Sequence, residues 1–436
     1  MNELVIGGGF AGVAAACRLA AAGRRPILLE RAPRLGGRAS SFQDPATGEW
    51  IDYGHHILMG CCTASRELLA MLGATDDVSF QERLSIPLVY PGGRSTLGDT
   101  PLPGPLRLAP SLLRFNALGL NDRLRVARAV RRLGACRSPA ATSFGAWLRA
   151  HAQSASAVKR FWDPIVVATL NAHVDEVAVE TARKILVEGF SRRGGANIGL
   201  FRVPLRSLFV AATQYITSRG GHVATAAGVR TLHIVRDRVR AVTLNDGRRL
   251  DAPSVIVAVP PSSLRRLVGD GGAPALGGAD LLRWSPIVDV HMWFDRPLDC
   301  EPFVTAVGSA VQSVFDVSRI HRSPEAPRSR PTSTHVVLSQ SAARRWIGMP
   351  PQRVAGELLP ALRQLLPGAA GARCRRSVVI QHPRATFVPS PGSSALRPPH
   401  RSCVDGLAVA GDWTATGWPA TIESAVRSGF AAADAM

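Results

Sequence analysis

Gly7, Gly9 and Gly12 stand at the spacing G-x-G-x-x-G, with Phe10 and Ala11 before the last glycine. The apolar run Leu4-Val5-Ile6 precedes them and the alanine-rich stretch Val13 to Ala22 follows. Between a strand and a helix, such glycines allow a tight turn, close approach of backbone to a pyrophosphate, and close helix–strand packing. Glu30 ends a second apolar run, Pro26 to Leu29, eighteen residues after Gly12. An acid there can bond ribose hydroxyls, so the chemistry is nucleotide binding. Arg31 follows, and then Gly36-Gly37-Arg38, a second glycine turn carrying a guanidinium. A flavin dinucleotide lies extended and can use such an arginine on its pyrophosphate side; a surface turn with a solvated arginine is the simpler alternative.

The other chemistry-bearing stretch closes the chain. Gly406 to Ala410 reads as a strand, runs into Gly411-Asp412-Trp413-Thr414, and leads to Trp418-Pro419-Ala420-Thr421-Ile422-Glu423-Ser424. Proline suits a first helical turn, so the pattern predicts a helix starting near Pro419 and amphipathic from Thr421 to Ala435. Its first-turn amides and dipole favour an electron-rich or anionic ligand, although a plain capped terminal helix has the same pattern.

The elements that must position these residues follow from length and patterning. A chain of 436 residues, 46% of them hydrophobic, exceeds a single-core domain, which predicts two. Leu205 to Arg219 reads as a helix ending at Gly220-Gly221, with His222 to Thr225 extended after it. Val229 to Val235, Val239 to Leu244 and Arg248 to Asp251 read as short strands around an Asn245-Asp246-Gly247 turn, and Ser254 to Val259 as a buried strand. Pro101 to Leu133 and Phe144 to Phe190 read as helical, 284–340 as alternating strands, and His321 to Pro331 as a proline- and arginine-rich loop. The expected class is α/β, a Rossmann-like domain of parts 1–82, 205–280 and 391–436, interleaved with an α+β substrate-binding domain of parts 83–204 and 281–390.

Composition excludes several classes. The net charge is +20, but only Lys159 and Lys184 are lysines among 52 basic residues. With alanine, glycine and proline abundant, this reads as a compositional bias toward arginine. No aromatic-interleaved basic motif is present, so no nucleic-acid partner is expected; an anionic membrane surface remains compatible. Seven cysteines, at 17, 61, 62, 136, 300, 374 and 403, show no metal-ligand spacing, which argues for a reducing compartment and against a metal site. No signal-peptide pattern precedes the first strand and no apolar run approaches spanning length. The expectation is a cytoplasmic protein, peripheral on the inner membrane face.

Gly7 to Gly12 with Glu30 and Gly36-Gly37-Arg38 resembles the amine oxidase and carotenoid desaturase superfamily of FAD proteins. Asp52-Tyr53-Gly54-His55-His56 through Gly60-Cys61-Cys62 is similar to the D-x-G-x-H-x-x-x-G-C loop of its desaturase branch. Arg202-Val203-Pro204, Arg384 to Phe387, Leu396-Arg397-Pro398, and above all Ala410 to Glu423 resemble the squalene-associated FAD-dependent desaturases, the hydroxysqualene dehydroxylase family. That family commonly has Asn-Gly-Gln-His where this chain has Tyr53-Gly54-His55-His56, so His56 is the histidine carried over.

The resemblance implies a glutathione-reductase/amine-oxidase type fold, FAD as cofactor, and a reductive dehydroxylation. A hydride passes from reduced FAD to the carbon bearing the hydroxyl of hydroxysqualene, giving squalene and water. A leaving hydroxyl needs a proton, and His56 and Glu423 are the candidate acids. Each also has a bland role, as a backbone-bonded histidine or as a helix-terminus acid. Asp163 and His173 are weaker candidates, and Trp162, Trp413 and Trp418 could face an allylic cation. The flavin contacts implied are Gly7, Gly9, Phe10, Ala11, Gly12, Glu30, Arg31, Gly36, Gly37, Arg38, Gly54, His55, His56, Val229, Gly411, Asp412, Pro419, Thr421 and Ile422. Among these, Val229 would touch the adenine through backbone, and Thr421 and Ile422 would offer amides to the pyrimidine end of the ring. The partners implied are an apolar isoprenoid substrate and an electron donor that the resemblance leaves unspecified. Leu102 to Leu133 is the expected membrane-facing mouth, with Leu106, Leu108, Leu112, Leu113, Phe115 and Leu118 apolar. Arg107, Arg114, Arg123, Arg125, Arg128, Arg131 and Arg132 would meet headgroups; a solvated helical hairpin is the alternative. Two rival functions stay open, a carotenoid desaturase running in the oxidative direction and a non-catalytic flavin-binding pathway partner.

Overall fold

The computed structural model describes residues 3–100, 102, 107–136, 142–189, 194–269, 277–321 and 333–436. Its nucleotide domain is built on five parallel strands in the order His222–Ala224, Ile27–Leu29, Leu4–Ile6, Val255–Val257, Leu407–Val409. Three of these are apolar and buried at every position, as strands covered on both faces must be. Val5, Leu28, Ile256 and Ala408 point to the helices Phe10–Ala21, Arg206–Thr217 and Ile422–Asp434. Leu4, Ile6, Val255 and Val409 point the other way, to Leu232, Val242 and Leu264. The first and last helices pack at close range because Gly429 stands where a Cβ would lie 2.1 Å from the carbonyl oxygen of Ala11. The small residues of the terminal helix thereby dock it on the first one.

A seven-stranded sheet carries the second domain, in the order Cys374–Phe387, Trp284–Phe294, Thr334–Ser341, Ser313–Asp316, Phe303–Ala306, Ser85–Tyr90, Gly93–Gly98. All its pairings are antiparallel except Phe303–Ala306 against Ser85–Tyr90. Strand alternation gives it two unlike faces. Val288, Val290, Met292 and Phe294 pack against Val354, Leu358 and Leu362 of the helix Pro351–Leu365. Asp289, His291 and Trp293 lie on the opposite face, with His335 from the next strand.

Helices Ala109–Leu113, Leu120–Ala135, Phe144–Ala150 and Asp163–Leu170 form a cap beside this sheet. Helix Leu120–Ala135 buries Val126, Ala129 and Leu133, the i, i+3, i+7 stripe of an amphipathic helix. Among the described residues, four of the seven exposed large apolar side chains belong to this region: Leu102, Leu113, Leu120 and Leu124. The expected lipid-facing set is corrected in part. Leu112, Phe115 and Leu118 are buried in the cap core, and Arg107 is buried in an ion pair with Asp99 (3.2 Å). Leu106 and the loop 322–331 lie outside the described residues. No helix among the described residues is long and apolar enough to cross a membrane.

The terminal helix starts later than the proline suggests, at Ile422. Thr421 is the N-cap, extended at φ −142°, and its hydroxyl accepts the Ser424 N–H at 3.2 Å. The preceding stretch is held out of helix by Arg397, whose guanidinium takes the Trp418 carbonyl at 2.8 Å and the Asp412 carbonyl at 3.0 Å.

Candidate functional site

The glycines of the first turn are each held by a different constraint. A Cβ at Gly12 would lie 1.9 Å from the Gly7 carbonyl oxygen, and Gly7 itself has φ +106°, a value that favours glycine. Gly9 is different: a Cβ there would meet only the Cα of Gly37, at 4.0 Å. The space over Gly9 is therefore open, bounded by the second glycine turn, which bonds back through Gly36 N–H to the Gly8 carbonyl at 2.8 Å. Helix Phe10–Ala21 has no side-chain cap and no acid in its first turn. Free amides facing an open glycine cradle fit a pyrophosphate.

Glu30 sits at the end of Ile27–Leu29 and is buried. Its carboxylate accepts the Gly8 N–H at 2.6 Å and the Ala32 N–H at 2.7 Å, so it braces the glycine loop and keeps lone pairs for a ribose. Beside it, Gly228 leaves room for the Arg31 Cβ, and Val229 opens the strand that pairs with Leu244. Arg38 reaches across the domains, donating to the Asp412 carboxylate at 2.5 Å and to the Ala385 carbonyl at 2.8 Å. Asp412 is buried, next to Gly411, whose N–H goes to Ser428 Oγ at 2.8 Å. Pro419, Thr421 and Ile422 follow. Among the described residues no acceptor takes the N–H of Thr421 or Ile422. The two ends of the chain thus converge as a glycine cradle, an arginine–aspartate tie and an open helix N-terminus.

Glu423 is placed elsewhere. Its side chain is fully buried and accepts from Ala64 N–H (3.1 Å), Ser65 N–H (2.8 Å), Ser65 Oγ (2.8 Å) and Arg427 Nε (2.6 Å). A carboxylate with four donors caps helix Thr63–Met71. Asp163 and His173 pair with each other at 2.8 Å on the exposed side of the cap. Hydrogen bonding to Asp163 raises the His173 pKa. Trp162 and Trp413 are fully buried with their indole N–H groups satisfied by Gln153 and Val259, so they pack and do not line a cavity.

The Tyr53–His56 loop joins the two domains. Tyr53 N–H bonds the Ser40 carbonyl at 2.9 Å, and Tyr53 Oη accepts from Arg34 at 3.0 Å. Gly54 lies on the Asp289 carboxyl, where a Cβ would be 2.4 Å from Oδ2; this is why the position is glycine. His55 contacts Phe315 at 4.8 Å and His321 at 6.2 Å between ring centroids. Burial holds the His55 pKa well below the imidazole range and brings His56 down to about 4, with His382 a lesser cause. Both shifts favour the neutral imidazole.

Sequence reading missed the sheet face beneath this loop. His291 Nδ1 and His335 Nε2 share a hydrogen bond at 3.0 Å, and Trp293 stacks on His335 at 4.3 Å. Burial lowers His291 and His321 to about 4, holds His335 well below its ordinary value, and raises Asp289 to about 7 against a bond from Ser339. A cavity of about 520 Å³ opens here, lined by Asp52, His55, Arg206, His291, His321 and His335. The signal was a polar residue at every second position, Asp289 and His291, inside an otherwise apolar strand. On the other side, Ile57–Met59 leads to an apolar cavity of about 80 Å³ walled by Met59, Leu88, Leu97, Phe161, Ile165 and Val307.

Comparison with known proteins places this geometry. The family of flavin containing amine oxidoreductases matches residues 10–436. The 15-cis-phytoene desaturase of Synechococcus elongatus is 24% identical over 462 residues, covering 100% of this chain and 96% of that protein. The Glycine max chloroplastic/chromoplastic 15-cis-phytoene desaturase is 26% identical, covering 100% and 79%. A hydroxysqualene dehydroxylase of Sinorhizobium fredii is 27% identical over 465 residues, covering 99% and 97%. Among solved structures, an oxidoreductase from Methanosarcina mazei superposes with TM-score 0.78 at 21% identity, covering 98% and 99% of the two chains. A putrescine oxidase bound to putrescine does so with TM-score 0.70 at 18% identity, covering 100% and 98%. The chain belongs to the flavin containing amine oxidoreductase family and is an FAD-dependent oxidoreductase. The open cradle over Gly9, the uncapped first helix and the unpaired amides of Thr421 and Ile422 fit FAD at its two ends.

Proposed function

We propose that this chain reduces a long apolar allylic alcohol of the hydroxysqualene type, removing its hydroxyl as water and leaving squalene. The observation that carries the substrate class is the apolar cavity against Met59, three residues beyond His56. Its walls offer almost no polar surface, which suits a hydrocarbon chain and little else. The choice of dehydroxylation rests on the terminal Trp418 to Glu423 segment and on the Sinorhizobium relative, which covers nearly the whole of both chains. The phytoene desaturase relatives favour a second reading, oxidation of an apolar polyene in the same cavity.

Reduced FAD, when bound, supplies the hydride. The chain's own residues do the rest. Gly7, Gly9 and Gly12 with Phe10 and Ala11 would receive the pyrophosphate, Glu30, Arg31 and Val229 the adenosine end. Gly36, Gly37, Arg38, Gly411 and Asp412 would hold the middle. Gly54, His55, His56 and Pro419, with the amides of Thr421 and Ile422, would border the ring. Negative charge that grows near a helix N-terminus is stabilised there. At about 80 Å³ the apolar cavity is smaller than the roughly 150 Å³ that admits benzene. A long chain therefore enters by displacing flexible side chains, Met59 first among them.

The substrate's solubility demands delivery from a lipid surface. Leu113, Leu120 and Leu124 are exposed on the cap, flanked by Arg114, Arg125, Arg128, Arg131 and Arg132. Beneath them Phe115 contacts Phe161, a wall of the cavity, at 6.2 Å. This surface is the proposed membrane-facing mouth. The test is product analysis after anaerobic incubation of the reduced holoenzyme with hydroxysqualene and, separately, of the oxidised holoenzyme with phytoene. Squalene from the alcohol supports the proposal; desaturated phytoene with oxidised flavin and no squalene replaces it with the second reading.

A further inference from the structure

A leaving hydroxyl needs a proton, and the ionisable groups considered so far are committed elsewhere. Glu423 is held by four donors, and burial favours the neutral imidazole at His55 and His56. Arg160, on the rim of the apolar cavity, donates to the Ala117 carbonyl at 3.0 Å. A guanidinium keeps its protons, whereas a lysine ammonium can release one. Of the 52 basic residues only Lys159 and Lys184 are lysines. Lys159 is exposed; Lys184 is half-buried, where the cap meets the closing segment of the chain.

Three contacts place Lys184. Its Nζ lies 5.3 Å from the centroid of the Trp418 ring, and a Cβ on Gly417 would be 3.7 Å from it. Gly417 and Trp418 lead into Pro419, Thr421 and Ile422, the helix terminus that fits the flavin ring. Lys184 also opens the π-helical segment Lys184–Gly189. At the far end of that segment a Cβ on Gly189 would lie 3.4 Å from Met59 Cε, a wall of the apolar cavity. Five helical steps, roughly 7 Å, thus join the flavin-ring terminus to the hydrocarbon cavity. Ile185 anchors the segment in the cap core, and wide turns of this kind are rare and recur at functional sites. Arg427 lies 5.0 Å from the same indole, but Glu423 and Thr63 Oγ1 hold it at 2.6 Å each. Among the described residues Lys184 meets this aromatic face and no carboxylate.

We infer that Lys184 is the catalytic acid of the proposed dehydroxylation, its ammonium donating to the substrate hydroxyl beside the Trp418 ring. The inference rests on that reaction for its use. In the step served, an N–H bond of Lys184 breaks as an O–H bond forms on the hydroxyl. The oxygen departs as water with the electron pair of its C–O bond. Positive charge thereby passes from nitrogen to the allylic carbon, and the Trp418 face attracts it in either place. The hydride that fills the empty orbital, with its electron pair, comes from reduced FAD, the named co-reactant. The neutral amine then takes a proton back from solvent.

Two lysines make the site readable without turnover. Reductive methylation of the oxidised FAD holoenzyme with 13C-formaldehyde gives one dimethyl-lysine resonance for each, and Lys159→Arg, a change at an exposed position, identifies that of Lys184. Added squalene should shift the Lys184 resonance and leave that of Lys159 in place. With reduced holoenzyme and hydroxysqualene, Lys184→Arg keeps the charge over Trp418 but has no proton to release. It should lower kcat about 100-fold or more while FAD content and thermal midpoint stay native. A Lys184 resonance unmoved by squalene overturns the inference, and so does native turnover by Lys184→Arg; in both cases squalene formation by the native enzyme leaves the reaction assignment standing. If squalene moves the resonance and the native enzyme leaves hydroxysqualene unconverted, the reaction assignment fails and takes the acid role with it.

Discussion

The nucleotide cradle and the imidazole-lined sheet face meet at the Tyr53–His56 loop and are built in opposite ways. In the cradle, backbone does the work: glycines clear space, amides point into it, and the side chains that matter are few and paired, Glu30 to Gly8 and Arg38 to Asp412. On the sheet face, side chains do the work. Asp289, His291 and His335 come from two strands separated by some forty residues, and burial sets their protonation. A site made of backbone is rigid and generic; a site made of buried titratable groups sets what reaction it can serve.

The largest expected effect separates space from strain within the cradle. Gly9→Ala should leave the flavin-free protein as stable as the native one, because nothing but Gly37 Cα lies within 4.0 Å. It should cut FAD affinity about 1000-fold, roughly 4 kcal/mol, measured by titration of the apoprotein. Gly12→Ala should instead destabilise the fold itself, through overlap with the Gly7 carbonyl. Native-like FAD binding by Gly9→Ala would break the cradle reading.

Next comes Glu423. Removing its charge with Glu423→Gln leaves Arg427 and the helix cap unmatched, and should cost roughly 3 kcal/mol in urea unfolding. Turnover per bound flavin should not change. A stable variant with lost turnover would return Glu423 to the chemistry.

The pH dependence sharpens the contrast further. His55, His56, His291, His321 and His335 all have folded-state pKa values below the ordinary 6.5. The unfolded chain then binds more protons than the folded one below pH 6.5, so their contribution is present above that pH and is lost as pH falls toward 4. Asp52, Asp289 and Asp316 are raised by burial and act in the opposite sense over an overlapping window, three groups against five. Urea midpoints should fall from pH 7 to pH 4.5, and His291→Asn should flatten the slope. A flat profile in the native protein would contradict the buried, neutral imidazoles.

The smallest effect belongs to the cap. Replacing Leu113, Leu120 and Leu124 together with serine should lower flotation with anionic liposomes several-fold without changing FAD content or thermal midpoint, since all three are exposed. Unchanged flotation would assign the surface to solvent.

These two regions also differ in how far they could be read from the chain. The cradle was legible because its determinants are local: Gly7 to Gly12 with Glu30 within 24 residues, and a terminal strand and helix carrying their own turn residues. The helix start near Pro419 was misplaced because Arg397, twenty-one residues before Trp418, ties the Asp412 and Trp418 carbonyls into a run of turns. Glu423 looked like a dipole or catalytic acid because its four donors come from residues 64, 65 and 427, two of them some 358 positions away. The sheet face had only a weak trace, Asp289 and His291 alternating with Val288, Val290 and Met292. What aligns them with His335 is strand pairing, and what neutralises them is a cover contributed by residues 53–56, which no local pattern announces.

The measurement that tests the central claim most directly is a single anaerobic turnover of chemically reduced holoenzyme with hydroxysqualene. The account predicts one squalene and one oxidised FAD per active site, with the hydroxyl lost as water. Hydroxysqualene recovered intact, while phytoene is desaturated by the oxidised holoenzyme, would contradict it.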